Sequence, residues 1–98
     1  MARQARIVVP GVPHHITQRG NNGQATFFLP DDRRAYLEFL LEACEAHRLR
    51  VHAYCLMPNH VHLVATPPAE PSLAETTEQV NTNYVKYVND RYRRTGHL

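Results

Sequence analysis

The residues best suited to chemistry are two histidines, two apart in an apolar run, His60-Val61-His62. Along a β-strand successive side chains alternate, so both imidazoles would leave one face while Val61, Leu63 and Ala65 take the other. Two imidazoles so placed can share a divalent cation, each through one ring nitrogen. The competing reading is a pair of histidines on the wet face of a half-exposed hairpin. A two-residue turn at Pro58-Asn59 would set Met57 opposite His60 and Cys55 opposite His62, which also admits a His-His-Cys zinc site. Tyr84 and Tyr87 offer nucleophilic oxygens, but they share helical spacing with Val80 and Val88, the pattern of a buried stripe. Arg19 and Asn21, beside Gly20, suit a DNA contact, guanidinium to phosphate and amide to base edge, or a polar turn. Arg91, Arg93 and Arg94 suit a DNA backbone or the close of a helix, where cations are favoured anyway. His14 and His15 read as strand and surface residues.

These groups need elements to hold them. Residues 12–19 read as a weak first strand, followed by a Gly20-Asn21-Asn22-Gly23 loop. Pro30-Asp31-Asp32 opens a helix whose acids sit in the first turn. Leu37, Leu40, Leu41, Cys44 and, at the margin, His47 recur at three- and four-residue spacing, predicting its core face. Residues 51–57 and 60–66 form an antiparallel hairpin about Pro58-Asn59. A stiff Pro67–Pro71 connector leads to Ser72-Leu73-Ala74-Glu75, which matches a capping box with Ser72 at the N-cap. A second helix follows to about Arg93, with Leu73, Val80, Tyr84, Tyr87 and Val88 buried, and Gly96 stops it. The order β-α-β-β-α predicts an α+β, ferredoxin-like sandwich, an antiparallel sheet with helices on one face.

Ninety-eight residues with 43% hydrophobic content allow one domain, here 1–98, with an N-terminal arm over 1–11. No apolar run approaches the ~18 residues of a membrane span, and the N-terminus carries no signal-peptide pattern. Two cysteines make no disulfide framework, which predicts a cytoplasmic setting. The net charge is +2, and ten of the eleven basic residues are arginine, whose planar fork suits phosphate. Arg3, Arg6 and Arg19 give residues 1–24 a charge of +3, and Arg91, Arg93 and Arg94 give the last eight residues the same. Acidic helices lie between, a distribution that fits a nucleic-acid partner or an ordinary solvated surface.

The stretch Ala53-Tyr54-Cys55-Leu56-Met57-Pro58-Asn59-His60-Val61-His62-Leu63-Val64 closely resembles the metal-binding strand pair of HUH-type single-tyrosine transposases, in particular the REP-associated branch. His15-Ile16-Thr17-Gln18-Arg19-Gly20-Asn21 is similar to that family's opening strand and loop. Asp31-Asp32-Arg33-Arg34 resembles its first helix start, and residues 89–98 its second helix end. The resemblance implies metal-dependent cleavage and rejoining of single-stranded DNA, with recognition of DNA hairpins. His60 and His62 would hold a divalent ion, magnesium or manganese with zinc as an option, which polarises the scissile phosphate. A tyrosine then attacks phosphorus, leaving a 5′-phosphotyrosine and a free 3′-hydroxyl, with no nucleotide cofactor. Asn59 occupies a polar position before the pair, where it completes the turn or orients the site. In the family that tyrosine lies on a later helix, beyond a further strand, and neither element matches this chain; Tyr84 and Tyr87 are the remaining candidates. The resemblance also implies a homodimer and a nucleoid-associated location in the cytoplasm. Two alternatives stand beside it: a catalytically inactive remnant that still binds DNA or a full-length partner, and a small zinc-binding module.

Overall fold

A strand buried on one face carries apolar residues at every second position, and residues 60–66 do so with Val61, Leu63 and Ala65, Val64 being the one apolar residue between them. In a computed structural model, which describes residues 7–19 and 27–92, that run is the middle strand of the sheet. The elements are β1 (His14–Arg19), α1 (Pro30–His47), β2 (Arg50–Met57), β3 (His60–Thr66) and α2 (Ser72–Tyr92). The sheet order is β1-β3-β2, antiparallel on both sides of β3. Val61, Leu63 and Ala65 from β3 and Ile16 from β1 enter one core with the buried residues of α1 and α2. This is the α+β arrangement the sequence predicts.

Three local expectations are corrected. β1 begins at His14, not at residue 12, because the chain is still turning there. Gly11 has φ +83° and its N–H donates to the Pro67 carbonyl at 2.9 Å, while the Val9 N–H donates to His14 Nε2. The buried stripe of α1 is Asp32, Tyr36, Leu40 and Ala43. Leu41 is 62% exposed and Cys44 only half-buried. The helix has rotated toward α2, against which it packs far more than against β2. Leu37, Leu41 and Cys44 consequently line an apolar groove of about 640 Å³ beside β2. Finally, Ser72 lies within the first turn of α2, since the Pro71 carbonyl already accepts the Glu75 N–H. Beyond Tyr92, the expected helix end at Arg93 and its stop at Gly96 lie outside the described residues, as does the loop over residues 20–23.

The two helices are joined by one carboxylate. Pro30 sits at N1 of α1 and Asp32 at N3, whence its Oδ2 accepts the backbone N–H groups of Phe28 and Leu29, both at 2.9 Å. The Tyr92 hydroxyl donates to the same oxygen at 2.7 Å, and the Tyr87 hydroxyl donates to Oδ1 at 2.8 Å. Asp32 has no solvent exposure. Burial by itself raises its carboxyl pKa, but the donors from Tyr92, Leu29, Phe28 and Tyr87 outweigh that and hold it below the usual carboxylate range.

Asp32→Asn therefore lowers the unfolding free energy by about 2–3 kcal/mol near neutrality, because one acceptor is replaced by a donor facing donors. The folded pKa lies below the unfolded one, so the carboxylate's contribution is complete above the unfolded value of about 4 and is lost as pH falls through the folded value. Urea denaturation of both proteins across pH should show the gap closing on acidification; a constant gap would contradict the ionised, donor-saturated carboxylate.

Candidate metal centre

The pleat of β3 sends His60 and His62 to the face of the sheet opposite the helices, where both are half-buried. Residues paired across the ladder share a face. Thr17 lies opposite His62 and His15 opposite Val64 on β1, while Cys55 lies opposite His62 and Met57 opposite His60 on β2. The tight turn at Pro58-Asn59 sets that β2 register as the sequence predicts. Cys55 Sγ donates to the Met57 sulfur at 3.5 Å, so the thiol is engaged along its own strand. Among the described residues, no three His, Cys, Asp or Glu side chains are grouped so as to hold a metal ion.

Each of the two candidate ligands is gripped at the same ring position. His60 Nδ1 lies 2.7 Å from Asn59 Oδ1, an oxygen that can only accept, so His60 carries its proton on Nδ1 and its lone pair on Nε2. His62 Nδ1 lies 3.0 Å from His15 Nε2 and 3.4 Å from Thr17 Oγ1. The His60 and His62 ring centroids are 4.7 Å apart, with planes at 80°. A neighbour that holds Nδ1 of a ligating imidazole is the usual support of a histidine metal site. Two imidazoles supported in this way are a donor set that suits a divalent ion. Asn59 completes the turn and also bonds the His60 ring. His15, assigned from the sequence to strand and surface, reaches the site because β1 pairs in the register that brings it beside His62. The signal for it was the alternation His15, Thr17, Arg19, which has meaning only once that register is known.

A family model described as "Transposase IS200 like" matches residues 11–97. The chain belongs to the IS200-like transposase family. Among solved structures, a REP-associated tyrosine transposase bound to a REP hairpin superposes with a TM-score of 0.64 at 16% identity. The match covers 85% of this chain and 53% of the other, so the chain spans about half the length of that transposase. At that identity the likeness is one of fold. No curated protein matches.

In this member of the IS200-like transposase family the remaining candidate residues are not gathered at the imidazole pair. Tyr84 is 2% exposed on the helix side, its ring 5.5 Å from Phe27 and 5.4 Å from Tyr36. Burial, with Asp32 next in importance, pushes its hydroxyl far above the usual tyrosine range. Burial likewise pushes Tyr36 up to about 12. Tyr87 is raised by burial and by its bond to Asp32, and Tyr92 is raised in the same way. Tyr54 pairs with Leu63 and so lies on the helix side as well. All five tyrosines of the chain therefore stand away from the histidine face. Arg91 donates to the Tyr87 hydroxyl at 2.8 Å and lies 3.9 Å from Asp32. Arg19 closes β1 opposite His60; its side chain lies outside the described part, and Asn21, Arg93 and Arg94 lie outside the described residues. Among the described residues no helix is long and apolar enough to cross a membrane.

Asn59→Ala removes the acceptor that fixes the His60 tautomer and should weaken Mn²⁺ binding about 10-fold or more, the usual cost of losing such support. Paramagnetic resonance of free Mn²⁺ gives the affinity, and thermal melting followed by circular dichroism checks the fold. An unchanged affinity would leave Asn59 with the turn alone.

Proposed function

We propose that this chain carries the metal- and DNA-binding part of a transposase that cuts and rejoins single-stranded DNA through a 5′-phosphotyrosine, with hairpin recognition. The observation that carries this reading is the imidazole pair of His60 and His62, set on the helix-free face with each Nδ1 held by a neighbour. Family membership and a hairpin-bound structural neighbour support a DNA partner. A divalent ion bound there supplies Lewis-acid polarisation of a phosphate oxygen. The chain's own part is to present the two imidazoles, to keep them in the ligating tautomer, and to meet the DNA backbone through Arg19, Arg93 and Arg94, with Asn21 at a base edge. Arg91 joins them only by leaving its bond to Tyr87.

In the cleavage step a tyrosine oxygen forms the new bond to phosphorus and the 3′-oxygen leaves as a hydroxyl. The position of all five tyrosines on the helix side favours a nucleophile from another segment or another molecule, and hence a second reading for these residues by themselves: DNA binding without cutting. A second copy is also proposed as partner. β1 and β2 each pair with β3 alone among the described strands, and an unpaired edge is a template for association.

Both readings meet one experiment. Hairpin-bearing single-stranded DNA is expected to bind with an affinity that falls as salt rises, and Arg19→Ala should lower the log–log salt slope by about 0.7–0.9, one phosphate contact. Mass spectrometry after incubation with Mn²⁺ then decides the chemistry: a covalent adduct on any of the five tyrosines contradicts the placement above, whereas binding without an adduct supports it. Failure to bind hairpin DNA overturns the proposal. Sedimentation velocity at micromolar concentration should show a dimer, and a persistent monomer would remove the second copy from the proposal.

A further inference from the structure

We infer that His15 is a positioning residue for the metal site: its Nε2 accepts the Nδ1 proton of His62 and thereby commits His62 to ligate through Nε2. The inference rests on the metal-site reading of His60 and His62.

The geometry of the His15–His62 contact carries it. The nitrogens are 3.0 Å apart, the ring centroids 5.2 Å apart and the ring planes at 11°. The centroid separation exceeds the nitrogen separation by 2.2 Å, about the sum of the two centroid-to-nitrogen radii. That is close to the largest separation the bond length allows, so the two nitrogens lie on the line joining the ring centres. The rings are edge to edge and nearly coplanar, not face to face, and the proton lies along a lone-pair direction of both. An edge-to-edge contact of two neutral imidazoles requires one donor and one acceptor. If His15 donated, the proton of His62 would sit on Nε2, and the ring could not ligate through that atom. If His15 accepts, His62 Nδ1 carries the proton, as His60 Nδ1 does against Asn59 Oδ1. Only the second arrangement gives the two ligands the same tautomer. Thr17 Oγ1, at 3.4 Å from the same nitrogen, is a competing acceptor but lies at the outer limit of a hydrogen bond.

The strand register makes the contact. His15 is directly opposite Val64 and diagonal to His62, a spacing within reach of long side chains on one face of a sheet. The support is thus contributed by β1, whereas Asn59 belongs to the β2–β3 turn.

The test uses the whole 98-residue chain with Mn²⁺ as the probe and two readouts. Nitrogen-15 correlation spectra of the metal-free protein, at a pH where the imidazoles are neutral, should show His62 as the Nδ1–H tautomer. In His15→Phe, which keeps a planar ring but has no acceptor, the Nε2–H form preferred by an unconstrained imidazole should take over. Mn²⁺ affinity should fall about 10-fold or more in His15→Phe and stay within about 3-fold of the parent in His15→Gln, whose amide oxygen can accept. Melting curves identify any variant that does not fold, and the His62 tautomer of the parent then still decides. A parent protein with His62 as Nε2–H, or an unchanged affinity in folded His15→Phe, overturns the role of His15. If His60→Ala and His62→Ala leave Mn²⁺ binding unaltered, the metal-site reading itself fails and His15 falls with it. Loss of binding in those two variants, with no effect at His15, defeats only this inference.

Discussion

The alternation of side chains along β3 is the constraint on which everything else in this protein depends. The strand is paired on both edges, so its backbone is saturated and its two faces are fixed in opposite directions. Val61, Leu63 and Ala65 are all at most 2% exposed, and together they fix the face that must meet the helices. A slip of β3 by one residue against both neighbours would put His60 and His62 into that core and the aliphatic residues into water. The same burial that stabilises the fold therefore holds both imidazoles on the outer face, and the site inherits its precision from the core behind it.

Polar groups on the helix side are consumed in holding α1 to α2. Asp32 takes two backbone N–H groups and two tyrosine hydroxyls, and Arg91 closes the cluster from outside. The buried carboxylate is acceptable only because its donors are all in place. This has a consequence for chemistry: Tyr87 and Tyr92 serve as donors to a carboxylate that needs them, and Tyr84 is enclosed among Phe27 and Tyr36. Nucleophilic tyrosines would have to be deprotonable and exposed, whereas burial raises the pKa of each of these. The helix layer supports the fold, and the opposite face is left to the histidines.

The outer strands contribute differently. β1 brings His15 and Thr17 to the imidazoles and Gln18 to α2, where its Oε1 accepts from Asn81. β2 adds Cys55 and Met57, whose sulfurs contact each other. Because α1 leans on α2, the groove beside β2 stays open and lined by Leu37, Leu41 and Tyr54.

Much of this was legible in the residues. The alternation at 60–66, the Pro58-Asn59 turn with Cys55 opposite His62, and the helix start at Pro30-Asp31-Asp32 follow from local stereochemistry, which a sequence carries in its periods and turn residues. The face of α1 did not follow. Leu37, Leu41 and Cys44 have the same helical spacing as Tyr36, Leu40 and Ala43, one residue out of phase, and only packing against α2 selects between them. Ser72 has the chemistry of an N-cap, but it is already the first residue of the helix because the Pro71 carbonyl is engaged by the Glu75 N–H. Asp32 reads as a favourable first-turn acid; its partners Tyr87 and Tyr92 are 55 and 60 residues away. His15 is 47 residues from His62, and no local period links the two. By itself the sequence determined what short-range geometry dictates: the order of elements, the outward pair His60 and His62, and the family. Tertiary structure alone decided which distant side chains share a proton, because a hydrogen bond depends on a register and a packing angle that no single segment contains.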